Sequence, residues 1–203
     1  MAYWEIPRQW EGRTAVVMAS GQSLTKEDAE AVRHLPRVVT NGTYRMAPDA
    51  EVIFGADVNF WRNEGYQDVY DCPGFKVSLD LAGGVHPNTP ESVLIVRVGG
   101  RSGLEAGQTH IRTGGNSGHA AIHIAASMGA KRIILLGLDM TGGHWHGKHP
   151  KGLANPTEGA FKRWKQHFTH LAKALQERDI EIFNCSPISV LQCFPKRRLS
   201  DCL

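Results

Sequence analysis

The stretch Thr14-Ala15-Val16-Val17-Met18-Ala19-Ser20-Gly21-Gln22-Ser23-Leu24-Thr25 decides the fold class. Its β-branched and apolar run over residues 14–20 stops at a glycine, as a strand buried on both faces of a parallel sheet does. Thr25 then precedes Lys26, Glu27 and Asp28 in the pattern of a helix start, and Ala29, Val32 and Leu35 follow at helical spacing as far as Pro36. A buried strand, a glycine turn and a capped helix together open a βαβ unit.

The rhythm continues outward. Arg37–Thr40 and residues 51–56 read as further strands, the first followed by Asn41 and the second by Asp57 and Asn59. Residues 75–79 and 92–98 also read as strands, set among Gly- and Pro-bearing loops between about 66 and 115. Ser117 is expected to cap a helix over residues 119–128, with Ala121, Ile124, Ala125 and Met128 on its apolar face and Gly129 at its end. Residues 132–138 form another fully apolar strand, closed by Asp139. An amphipathic helix over 158–178 turns Phe161, Trp164, Phe168, Leu171 and Leu175 inward, and residues 180–183 add a last strand before Pro187. The expected architecture is α/β and Rossmann-like, a mainly parallel sheet with helices on both faces, in one domain spanning residues 1–203.

Composition narrows the function classes. With 41% hydrophobic and 21% charged residues, the 203-residue chain is too apolar for a disordered one. The 23 basic and 20 acidic residues give a net charge of +3, too even a balance for electrostatics alone to call for nucleic acid. Basic residues gather locally, at Lys196, Arg197 and Arg198 and again at Lys148, Lys151, Lys162, Arg163 and Lys165, as a solvated face or as a polyanion contact. Cys72, Cys185, Cys193 and Cys202 have no metal-ligand spacing and read as reduced thiols of a cytoplasmic protein. No charged-then-apolar leader opens the sequence and no apolar run approaches the roughly 18–20 residues of a membrane span, so no membrane partner is expected.

Ligands of parallel α/β sheets bind beyond the carboxyl ends of the strands, which directs attention to the loops beginning at Ser20, Asn41, Asp57 and Asp139, with the helix start at Ser117 facing them. In Ser20-Gly21-Gln22-Ser23-Leu24, unpaired N–H groups at a strand-to-helix turn would receive a phosphate or carboxylate, or the glycine serves a tight turn. The loop lacks both the three-glycine dinucleotide fingerprint and the lysine of a P-loop. Gly114-Gly115-Asn116-Ser117-Gly118 is a second such loop, in which glycines allow close approach and Ser117 offers a hydroxyl, or merely a cap. Gly142-Gly143-His144-Trp145-His146-Gly147-Lys148-His149-Pro150 brings three imidazoles and a lysine directly after Asp139. Histidine is the common base near neutral pH and Lys148 would neutralise a leaving phosphate. The same imidazoles with Asp139 would alternatively ligate a transition metal, or stand in solvent without a role. Asp139, Asn41 and Asp57 are turn or helix caps, or ligands to substrate.

In combination these residues resemble a known Rossmann-like group. The first strand ends in Gly-x-Ser-Leu, Asn41 ends the second, an Asn-Ser-Gly helix start follows, Gly129-Ala130 leads into an apolar strand ending Gly-Leu-Asp, and Asn184 to Pro195 closes the pattern. The group includes the bacterial sialyltransferases of glycosyltransferase family 42, the archaeal hydroxymethylpterin pyrophosphokinase-like proteins and small bacteriophage-encoded relatives. Resemblance to the sialyltransferases implies Gly21, Ser23, Asn41, Asn116, Ser117 and Gly118 around a nucleotide-sugar donor with cytidine as its base, and the reading of the strand-end loops adds Gln22, Asp57 and Lys148 as expected donor contacts. It implies one of His144, His146 or His149 as general base beside Asp139, a hydroxyl-bearing acceptor, and no metal requirement. The chain departs from that pattern at Asp57, where the sialyltransferases carry asparagine, and in the distance of its histidines from the final helix. A magnesium- and ATP-dependent pyrophosphokinase, and a non-catalytic nucleotide- or nucleic-acid-binding protein using the basic C-terminal run, are the alternative expectations.

Overall fold

The computed structural model describes residues 3–80, 86, 88–148, 153 and 157–203. Eight strands run in chain order as β1 (Thr14–Met18), β2 (Arg37–Thr40), β3 (Val52–Phe54), β4 (Phe75–Leu79), β5 (Leu94–Gly100), β6 (His110–Arg112), β7 (Arg132–Leu136) and β8 (Glu181–Asn184). They form one sheet in the order β6-β5-β4-β3-β2-β1-β7-β8, and every neighbouring pair is parallel. The chain moves outward from β1 to β6, then returns to the other side of β1 to lay down β7 and β8. That reversal opens a crevice beyond the strand ends, the position where parallel sheets take ligands.

Helices α1 (Lys26–Ala31), α2 (Val58–Arg62), α3 (Ser117–Ser127) and α4 (Glu158–Gln176) connect the strands together with 3-10 segments at Asn41–Arg45, Glu64–Asp71 and Leu199–Asp201. Alternation along β1 divides the core into two layers. Ala15 and Val17 meet α3 and α4 through residues such as Ile124, Phe168 and Leu171, while Val16 and Met18 meet Val32, Phe60 and Trp61 on the opposite face. The fold is thus Rossmann-like α/β with both faces covered.

Local chemistry explains the element ends. Thr25 and Asp28 close the reciprocal capping box ahead of α1, and Thr157 caps α4. At α3 the expectation is corrected by one residue: Asn116, not Ser117, is the cap, because its Oδ1 accepts from Gly118 N at 2.8 Å and His119 N at 3.3 Å. Residues 66–115, read as strands and loops, also hold most of a 3-10 segment and the three-residue strand β6; α2 lies just ahead of them. Strands β1, β3 and β7 stop short of their expected ends, and the residues so released form the rim of the crevice.

Candidate functional site

A cavity of about 320 Å³ lies at the carboxyl ends of β1, β2, β3 and β7. Its wall includes Ser20 and Gly21 after β1, Asn41 after β2, Asp57 after β3, Leu138, Asp139 and Met140 after β7, and Asn116, Ser117 and Gly118 at the start of α3. Phe60, Phe161 and Trp164 supply aromatic surface. All four loops singled out in the sequence, and the α3 start, therefore converge on one space.

Asp139 is 1% exposed, and its carboxylate is engaged by the first loop: Oδ2 accepts from Ser23 N at 2.8 Å and Oδ1 accepts from the Ser23 hydroxyl. Charge-assisted bonds of this kind are among the stronger ones in a protein. Gly21 N donates to Gly137 O at 2.7 Å, and Leu24 N donates to Gly21 O at 3.2 Å. The expected free amides of the first loop are thus paired inside the protein at Gly21, Ser23 and Leu24, because β7 lies beside β1 and brings Gly137 and Asp139 within reach. A side chain at Gly21 would press on Gly137 O and stand 2.5 Å from Asp139 Oδ2, so only glycine fits this closure.

The β7 end is fixed from its other side as well. Ser186 Oγ accepts from Leu138 N at 2.8 Å, the Ser189 hydroxyl donates to Leu138 O at 2.7 Å, and Val190 N donates to Asp139 O at 2.9 Å. The peptide carrying Asp139 is held between two loops.

The histidine loop folds over the first loop. His144 forms an isolated antiparallel bridge with Gly21, Trp145 N donates to Ser20 O at 3.0 Å, and the Gln22 side chain lies against Gly143. His144 lines the cavity; His146 stacks on it with ring centroids 5.2 Å apart and planes at 8°, and does not itself line the wall. Burial holds the His144 imidazole below its ordinary value, with a hydrogen bond to the Ser20 backbone acting the other way. Its neutral form therefore predominates near pH 7. Lys148 and Gln22 are exposed and outside the wall, Ser23 is half-buried and also outside it, and His149 lies outside the described residues.

Asn41 takes a left-handed conformation with φ 48°, a strained choice for a residue with a side chain and one that asparagine tolerates best after glycine. Asp57 caps α2 through a 2.8 Å bond from Asn59 N. Sequence reading placed Phe161 and Trp164 among inward core residues. Both are instead half-buried on the cavity wall, and only Phe168, Leu171 and Leu175 of α4 are fully buried. Their position at the start of the helical face was the available signal, since the first turns of α4 line the cavity together with Gly137, Leu138, Asp139 and Met140 after β7.

Beneath the site, α3 buries two histidines completely, His119 and His123. Desolvation pushes His119 down to about 4, opposed by its hydrogen bond to Arg112 O, and pushes His123 down to about 3 with His119 as the next cause. His123 Nδ1 faces Arg112 N at 3.0 Å and Nε2 faces Glu105 N at 3.2 Å; both are donors, so a neutral ring can accept from one of them, whereas a protonated ring, with N–H on both nitrogens, can accept from neither. Among the described residues no cluster of three or more His, Cys, Asp or Glu is arranged to hold a metal ion, and no helix is long and apolar enough to cross a membrane.

Fold and crevice together define a parallel α/β protein with a ligand-sized cavity at its topological switch point. Among solved structures the chain is similar to the sialyltransferase CST-II, whose crystal structure was determined in complex with a trisaccharide acceptor and CMP. The match has a TM-score of 0.52 at 12% identity and covers 91% of this chain and 85% of that one. No protein-family model and no curated protein sequence matches the chain. At this identity the shared property is the sialyltransferase-like fold.

Proposed function

We propose that the protein is a glycosyltransferase-like enzyme that transfers a sugar from a nucleotide donor to a hydroxyl-bearing acceptor, acting as one α/β domain. The observation that carries this reading is the convergence of the β1, β2, β3 and β7 loops and the α3 start on one cavity, in a fold shared with a protein that binds CMP and a trisaccharide. The donor set fits a nucleotide. Ser117 adds a hydroxyl at the positive end of α3, Asn41 presents an amide, and Phe60, Phe161 and Trp164 offer apolar faces for a base or sugar ring. Gly118 and His119 amides are already capped by Asn116, so the α3 end acts on phosphate through its dipole and Ser117 rather than through a row of free N–H groups.

In this mechanism the acceptor hydroxyl gives its proton to the neutral imidazole of His144 while its oxygen bonds to the anomeric carbon. The bond from that carbon to the nucleotide phosphate breaks, and the phosphate oxygen leaves with the electron pair toward Ser117 and the α3 terminus. Asp139 is a positioning residue here: both carboxylate oxygens are committed to Ser23, which sets the loop that His144 covers. Exclusion of water by Trp164 and Phe161 would protect the donor from hydrolysis.

The test is thermal stabilisation by CMP, UDP, GDP and ATP with magnesium, since a ligand of the native state raises the melting temperature. A shift with a pyrimidine nucleotide that is lost in Asn41→Ala supports the reading, and a larger shift with CMP than with UDP supports its cytidine form. A response confined to ATP with magnesium would replace it with the pyrophosphokinase reading. No response to any nucleotide would overturn it.

A further inference from the structure

The outer edge of the sheet at β8 is covered by a strap formed from residues 195–202. Asn184 N donates to Pro195 O at 2.9 Å, Arg197 N donates to Asn184 O at 3.2 Å, and Lys196 Nζ donates to Ser189 O at 2.6 Å. Leu199 and Cys202 pack against the α1 side of the core. Cys202 thereby meets Cys185, the residue directly after β8, with their Sγ atoms 3.7 Å apart. Cys185 is buried and Cys202 half-buried, while Cys72 and Cys193 are free thiols elsewhere.

We infer that Cys185 and Cys202 form a dithiol that a small-molecule disulfide converts into an intramolecular disulfide, fastening the 195–202 strap to the sheet edge. The sulfurs must approach from 3.7 Å to about 2.05 Å, a change that side-chain rotation at the half-buried Cys202 can supply. The step balances as two exchanges. Cys202 thiolate attacks one sulfur of the small disulfide and expels a thiolate, and Cys185, giving up its proton, then attacks Cys202 Sγ and expels no group but the second small thiolate. Two protein thiols lose two electrons and two protons, and one small disulfide becomes two thiols.

The order of attack follows from burial, which raises the Cys185 thiol to about 12, with its contact to Cys202 adding to the effect. Cys202, the more accessible, reacts first. Cys185 immediately precedes Ser186, whose hydroxyl oxygen receives Leu138 N, so the bond would brace the peptide beside Asp139 from the far side of the cavity. This inference is independent of the proposed transferase activity.

The full-length chain is incubated with oxidised glutathione, its remaining thiols are alkylated, and peptides are mapped without reduction. The expected product joins the Cys185 and Cys202 peptides, leaves Cys72 and Cys193 alkylated, and is absent from Cys202→Ser. The oxidised protein should melt several degrees higher, because the closed loop restricts the unfolded chain. After cleavage by trypsin at the exposed Arg197 or Arg198, the C-terminal peptide should stay attached until a reductant is added. A reaction that stops at a glutathione adduct on Cys202, or a bond between any other pair, would overturn the inference.

Discussion

Acidification should destabilise this protein through the two histidines buried in α3, well before its carboxylates titrate. Both imidazoles have an ordinary value of 6.5 and are pushed down, His119 to about 4 and His123 to about 3, chiefly by desolvation. A group whose folded value is depressed contributes full stability above its unfolded value and loses it as the pH falls. For these histidines that loss begins near pH 6.5 and runs down to their folded values. Between pH 8 and pH 5 the linkage relation gives a loss of about 2 kcal/mol for each ring, or about 4 kcal/mol together. For a chain of this size that corresponds to a fall in melting temperature of about 8–16 °C. His144 and His167 are also held low by burial and add in the same direction. Asp49 and Asp68 are lowered from 3.8, so their contribution is lost only below the window and does not confuse it. Melting curves from pH 8 to 5 would measure the effect, and His123→Gln, which keeps an acceptor for one facing amide but cannot titrate, should remove nearly half the slope. A wild-type melting temperature flat across that range, or an unchanged slope in His123→Gln, would refute the reasoning.

Four further outcomes follow from the site. Gly21→Ala should lower stability by about 1–3 kcal/mol through overpacking against Gly137 and Asp139, seen as an earlier denaturant midpoint. Asn41→Gly should hold or raise the melting temperature by relieving a left-handed residue, yet weaken nucleotide binding measured by calorimetry. His144→Ala should reduce transfer by about 10²–10⁴-fold with little change in nucleotide affinity, whereas His146→Ala, off the wall, should cost far less. Asp139→Ala should cost stability and nucleotide affinity together by freeing the Ser23 loop, and Asp139→Asn, which can still accept one of the two bonds, should retain part of both.

The sheet was legible where strands are buried on both faces. Arg37–Thr40, buried throughout, read correctly to the residue, and so did Phe75–Leu79, whose first residue is exposed but whose Phe75, Val77 and Leu79 alternate with Lys76 and Ser78 as in a strand. Strand β6 has three residues and takes its identity from its register with β5, which no local pattern records. At α3 two adjacent residues are both good caps, and only backbone geometry selects Asn116 over Ser117. Positions at the crevice were legible because strand ends and polar residues coincide in the sequence. The engagement of Asp139 was not, because its partner Ser23 is 116 residues away. His119 and His123 read as ordinary members of a helix, and only the all-round burial of α3 exposes them as titration-sensitive.

The bond between Ser23 and Asp139 also sets when the cavity can exist. Strand β1 and its loop emerge early in synthesis, yet the groups that shape that loop, Gly137 O and the Asp139 carboxylate, arrive only once β7 has docked beside β1. A nascent chain that has laid down β1 to β6 would own most of the sheet and the Asn41 and Asp57 side of the wall, but not the closed site. Closing so long a separation is a slow, non-local event. Ligand binding would therefore report on completion of the whole fold, and a half-made chain would stay inert.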